Sequence, residues 1–219
     1  MVKKTFFAIL ATEATIENTV ADFSIVICDR EGRIHNQCAI LIAGHYDDLE
    51  LFCDERLHGT LKAACLEERR AKYNEMIDVG IRMVTSVNAV NRWINQVINK
   101  YDPILTAYGL DVDAARCKNT GVDMSGFSER FCLRNVVINN ICNTEKYIKF
   151  SVENNLVGKP VEYIDVNSES AEENIYWFVS GRRKVMSYTA LEDARDFEIP
   201  ILSSILKKRD WKRMIVGGE

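Results

Sequence analysis

Four carboxylates occupy positions that an α/β chain could bring together: Glu13, Asp111, Asp113 and Asp193. Two-metal phosphodiester chemistry needs several carboxylates converging on cations about 3.5–4 Å apart. Hard cations such as Mg²⁺ take oxygen ligands and keep waters for the reaction. Glu13 follows the apolar run Phe6-Phe7-Ala8-Ile9-Leu10, inside the small stretch Ala11-Thr12-Glu13-Ala14. Chains that hold catalytic metal at a strand end commonly carry two carboxylates there, spaced D-x-E; here Ala11 stands in the first place. Asp111 and Asp113 follow a short apolar run that ends at Tyr108, and Asp193 opens the last long helical pattern. Each has an ordinary reading as well. Asp111 suits a helix N-cap, Asp193 favours a helix dipole, and Glu13 suits a solvated loop. Spacing alone leaves both readings open.

The elements that must position these groups follow from periodicity. Residues 5–10 read as a buried strand ending before Glu13. The runs Ala21–Cys28 and Arg33–Ile42 flank the turn Asp29-Arg30-Glu31-Gly32 and predict an antiparallel hairpin. Helix formers predict a helix over Thr60–Met76. A second helix is expected over Thr85–Lys100, where Val87, Val90, Trp93, Ile94, Val97 and Ile98 share a face, closed by Pro103. A strand at Ile104–Tyr108, a helix at Asp111–Cys117, a strand at Phe131–Leu133 and a helix at Thr144–Asn154 come next. The final helical pattern, Thr189–Lys207, contains Pro200, which should kink or split it. Asn167–Glu173 reads as a loop or a helix start. The expectation is one α/β domain over residues 1–219, with an antiparallel three-strand meander leading into parallel crossovers.

Bulk properties narrow the function classes. Nearly half the residues are hydrophobic and about a quarter charged, with only three prolines, which fits a packed domain rather than a linker. The net charge of -4 excludes a polycation, though local basic clusters remain: Arg182-Arg183-Lys184, and Lys207-Lys208-Arg209 with Lys212-Arg213. The first cluster could contact a phosphate backbone, or could be a solvated loop. Trp177 and Phe178 could stack on bases, or belong to the core. Seven cysteines without a C-x-x-C pair suggest reduced thiols and a cytoplasmic location. Cys117, Cys132 and Cys142 lack zinc-ligand spacing. The N-terminal apolar run is too short for a signal peptide, and no stretch approaches membrane-spanning length.

The segment Ser187-Tyr188-Thr189-Ala190-Leu191-Glu192-Asp193-Ala194 (SYTALEDA) closely resembles the third motif, H-x-A-x-x-D-A, of DEDDh exonucleases. These are the DnaQ-like group within the ribonuclease H-like fold. Ala11-Thr12-Glu13-Ala14-Thr15 resembles the family's first motif, D-x-E-x-T. Gly109-Leu110-Asp111-Val112-Asp113 looks like the second, N-x-x-F-D. Motif order and approximate spacing match across nearly the whole chain.

That resemblance implies a ribonuclease H-like mixed sheet and a 3′→5′ exonuclease acting on single-stranded DNA or RNA ends. It implies Glu13, Asp113 and Asp193 as ligands of two Mg²⁺ or Mn²⁺ ions, with Asp111 as the alternative in motif two. Thr12, Ala14 and Thr15 would lie beside the terminal nucleotide, with Arg182 and Arg183 near the strand. Three positions depart from the pattern. Ala11 replaces the first aspartate, Gly109 the asparagine, and Tyr188 the general-base histidine. Alanine has no ligand atom, so one metal should bind poorly. The expectation is therefore an exonuclease framework disabled by Ala11 and, in one reading, by Tyr188 as well. The alternative is a pseudonuclease that binds nucleic acid or a protein partner without cutting.

Overall fold

The structure, a computed structural model, describes residues 4–53, 59–156 and 171–216. It opens with three strands, β1 (Phe6–Ala14), β2 (Val20–Asp29) and β3 (Ile34–Ile42). They pair antiparallel as a meander, with Ala11 opposite Ser24 and Glu13 opposite Asp22. Helix α1 (Gly59–Asp78) follows, then β4 (Met83–Thr85), α2 (Val87–Tyr101), β5 (Ile104–Ala107), α3 (Leu110–Thr120) and β6 (Arg130–Cys132). The sheet has six strands in the order β4-β3-β2-β1-β5-β6, and β5 runs parallel to β1. Strand β6 continues the parallel side, and β4 lies parallel on the edge beside β3. This is the mixed α/β sheet expected, consistent with a ribonuclease H-like fold.

Alternation along β1 sends its side chains into two cores. Phe7, Ile9 and Ala11 face one core, and Ala8 and Leu10 face the other. The second core is closed by α2 and α3. Val90, Ile94 and Val97 of α2 are buried there, as the three- and four-residue spacing requires. The Ser86 side chain caps the start of α2, and Asp102, in the left-handed region just before Pro103, ends it. The first core is closed by the rest of the chain: α4 (Leu133–Val137), α5 (Glu145–Glu153), α6 (Glu172–Ser180), α7 (Ala190–Asp193), α8 (Ile199–Leu206) and α9 (Trp211–Val216).

Several elements differ from the sequence expectation. Strand β1 does not end at Leu10. It pairs with β2 through Ala14, so Glu13 lies within the strand, beside a register shift at Glu13/Ala14. The last helical pattern runs without a break from Ala190 to Leu206 but changes its turn. A π turn, Ala194–Glu198, joins α7 directly to α8, and Pro200 falls in the first turn of α8. A proline inside a helix lacks an N–H and crowds the carbonyl four residues back; the widened turn sits where that conflict arises. Strand β4, the α4 helix with its own π turn (Ile138–Cys142), and α9 were not anticipated. The loop-or-helix stretch Asn167–Glu173 lies outside the described residues up to 170, and its last two residues open α6.

Candidate acidic site at the end of the first strand

Glu13 projects from the same face of β1 as Ile9 and Ala11, four and two residues back. Its carboxylate is engaged by helix α1: Arg69 Nη2 donates to Glu13 Oε2 at 2.8 Å. Arg69 Nη1 also donates to the carbonyl of Phe52, fixing the guanidinium against the segment that follows β3. Both partners are largely covered, with 17% and 20% of the side chains exposed. Burial opposes charge on Arg69, but the Glu13 carboxylate outweighs it and holds the guanidinium charged. Ala11, 7% exposed, packs with the apolar residues of the first core and offers no polar atom.

Asp113 comes from the first turn of α3, whose N-cap is Gly109. The Thr12 hydroxyl donates to Asp113 Oδ1 at 2.5 Å, and Arg116 Nη1 lies 3.8 Å from the same oxygen. Arg116 also donates to the Thr12 carbonyl at 3.2 Å. Burial pushes Asp113 up to about 7, against the downward pull of Thr12 and Arg116. Asp111, the alternative, is exposed, so α3 turns Asp113 rather than Asp111 toward β1. An added Cβ at Gly109 would meet nothing within 4 Å, so the space an asparagine would fill is open.

Asp193 ends α7 and is 4% exposed. Its Oδ1 accepts from the Ser187 amide at 3.2 Å and the Ser187 hydroxyl at 2.9 Å. Burial and then the charge of Glu13 push it up to about 7. The same field reaches Asp113, so Glu13, Asp113 and Asp193 share one electrostatic centre. The helices that carry Asp113 and Asp193 both pack on the strand that carries Glu13.

Two further carboxylates belong to this centre. Glu172 of α6 and Glu198, at the end of the π turn, are both raised well above the usual range. Burial is the main cause for both; the charges of Asp193 and Asp113 then raise Glu172, and those of Glu172 and Asp113 raise Glu198. Glu198 is 3% exposed. Glu198 Oε2 and Glu172 Oε1 are buried without a hydrogen-bond partner. Sequence reasoning missed both. Glu198 stands five residues after Asp193, out of phase for a regular helix, and only the intervening turn with its i→i+5 spacing carries it round. Glu172 belongs to a polar stretch that reads as a loop or a helix start.

The other candidates distribute differently. Tyr188 is 59% exposed and holds φ 53, in the left-handed region that a tyrosine rarely adopts. Burial of its ring base and the carboxylates of Glu173, Asp193 and Glu13 raise its hydroxyl. Ala14 and Thr15 are buried, and the Thr15 hydroxyl lies 2.7 Å from that of Thr19. Arg182 and Arg183 are exposed beyond α6, with Arg183 stacked 4.8 Å over the Trp177 ring. Trp177 and Phe178 pack on Phe150 and Tyr147, so these rings belong to helix packing.

The residues present do not form a two-metal centre in this arrangement. Position 11 supplies no ligand atom, and Glu13 is already paired with Arg69. Among the described residues no three His, Cys, Asp or Glu side chains are grouped so as to hold a metal ion. Among the described residues, too, no helix is long and apolar enough to cross a membrane. No protein-family model matches this chain, and no curated protein matches it in sequence.

Proposed function

We propose that this chain is an exonuclease-type scaffold that receives the 3′ end of single-stranded DNA or RNA and, as written, is disabled for cutting it. The observation that carries this reading is the meeting of three motif segments in one buried acidic centre whose first ligand position is Ala11. The Glu13 carboxylate of that centre pairs with Arg69 instead of standing open. Such a centre has the framework for phosphodiester chemistry but not the open oxygen ligands that a catalytic cation requires.

A pseudonuclease reading is favoured by the pairing itself, because Arg69 neutralises the carboxylate a metal would need. The exposed Arg182 and Arg183 supply positive charge for a strand's phosphates, while Lys184 pairs with Asp196 at 2.8 Å. None of the seven cysteines is in a disulfide, which supports a reducing, cytoplasmic setting. The test is incubation of labelled single-stranded DNA and RNA with the protein in Mg²⁺ or Mn²⁺. Retention of intact strand supports the reading, and stepwise loss from the 3′ end contradicts it.

A further inference from the structure

The Arg69–Glu13 pair suggests more than the loss of a metal. The carboxylates of Glu13 and Asp113 each face a guanidinium, Arg69 at 2.8 Å and Arg116 at 3.8 Å. Position 11, which would need a carboxylate to outcompete those pairs for a dication, carries a methyl group. Arg69 is the better placed of the two cations. Its guanidinium is held by the Phe52 carbonyl and by Glu13, and its side chain keeps 17% of its surface exposed. A guanidinium has five N–H donors; those two bonds use two of them, and the Tyr73 hydroxyl also interacts with the group. The remaining donors can meet phosphate oxygens in the planar, forked geometry that arginine offers and a lysine does not.

We propose that Arg69 is the resident cation of this centre: it receives a phosphate of the bound strand and keeps divalent cations away from Glu13. This rests on the end-binding reading above. It adds the residue that replaces the metal and makes strand binding independent of Mg²⁺ and Mn²⁺.

Two measurements on the full chain test it. The first follows binding of a labelled single-stranded oligonucleotide in EDTA and in Mg²⁺. The second follows Mn²⁺ binding to the protein alone, by calorimetry and by the electron-paramagnetic resonance of free Mn²⁺. Wild type should bind the strand with the same affinity in both buffers and take up no Mn²⁺ at this centre. Arg69→Gln should bind the strand about tenfold more weakly in EDTA and gain Mn²⁺ binding. Arg69→Lys should exclude Mn²⁺ like wild type but bind the strand severalfold more weakly, since the fork is lost. Glu13→Gln serves if Arg69→Gln does not fold: it releases Arg69 from its counter-charge and should tighten strand binding severalfold. Unchanged strand binding by Arg69→Gln, weaker binding by Glu13→Gln, or Mn²⁺ uptake by wild type equal to that of Arg69→Gln overturns the proposal. If wild type binds no strand, the end-binding reading falls with the phosphate role, and the Mn²⁺ comparison separately decides whether Arg69 holds the cation position.

Discussion

Arg82 Nη2 lies 2.6 Å from Glu192 Oε2, tying the segment before β4 to the helix that carries Asp193. The same guanidinium reaches Asp22 on β2 at 3.2 Å, and both of those side chains are fully buried. Asp22 Oδ2 also accepts from the Ala190 amide at 2.9 Å. Removing the cation would leave Asp22 charged and unpaired inside the protein, the costly half of a buried ion pair. Arg82→Ala should lower the unfolding free energy by about 3–5 kcal/mol, read by urea denaturation. A loss below about 1 kcal/mol, the range of surface pairs, would show that the network does not anchor the α7 segment.

The acidic centre sets a pH dependence of stability. Asp113 and Asp193 titrate near 7 in the folded protein, against an ordinary value of 3.8. The folded chain therefore holds protons that the unfolded chain has released. The stability these groups contribute is complete below about pH 4 and is lost as pH rises through about 7. Glu172 and Glu198 act in the same direction. Asp29 opposes them at the acid end. Despite its burial, hydrogen bonds from Lys4 and His35 hold it well below the usual range, so its contribution is lost on acidification. Stability should peak at mildly acidic pH. The melting temperature at pH 5.5 should exceed that at pH 8 by roughly 4–8 °C, for a difference on the order of 2 kcal/mol. A melting temperature that rises from pH 5.5 to pH 8 would contradict this.

Glu198→Gln isolates one part of that effect. The substitution keeps shape and removes a carboxylate whose Oε2 has no partner. An unpaired buried polar atom is costly and a charged one more so. Burial penalises the charged carboxyl of Glu198, so the variant should gain stability relative to wild type as pH rises from 5 to 8. Equal effects at the two pH values would show that ionisation of Glu198 is not the cause.

Ala11→Asp asks whether the ligand position can be restored. In EDTA the variant should lose about 2 kcal/mol, because a carboxylate enters an apolar cluster without a donor. Mn²⁺ should recover part of that loss, since a cation that binds only the folded state stabilises it by mass action. Thermal unfolding with and without Mn²⁺ reads both effects. A melting temperature that ignores Mn²⁺ would show that the site cannot be rebuilt from position 11 alone.

Much of the frame was legible because periodicity reports burial. The β2–β3 hairpin and α2 follow directly from alternation and from a three-four apolar face. The length of β1 was not legible: Ala11-Thr12-Glu13-Ala14 is small and polar, and only pairing with β2 keeps it extended. Likewise Pro200 predicts a kink or a split in a regular helix, whereas the helix widens just before it. Glu13, Asp111, Asp113 and Asp193 were visible as candidates by type and spacing, and only the resemblance favoured Asp113 over Asp111. Their partners were not, since Arg69, Arg116, Glu172 and Glu198 reach the centre from elements whose placement no local pattern dictates. Asp22 left a trace, as a carboxylate inside an otherwise apolar strand, but Arg82 left none.

The most direct measurement follows a 5′-labelled single-stranded oligonucleotide with a free 3′ end, as DNA and as RNA, in Mn²⁺. Wild type and Ala11→Asp are compared, and binding is recorded beside chain length. The account predicts that wild type binds the strand and leaves it full length, while Ala11→Asp shortens it stepwise from the 3′ end. Digestion by wild type at the rate of Ala11→Asp, or failure of both proteins to bind the strand, would contradict it.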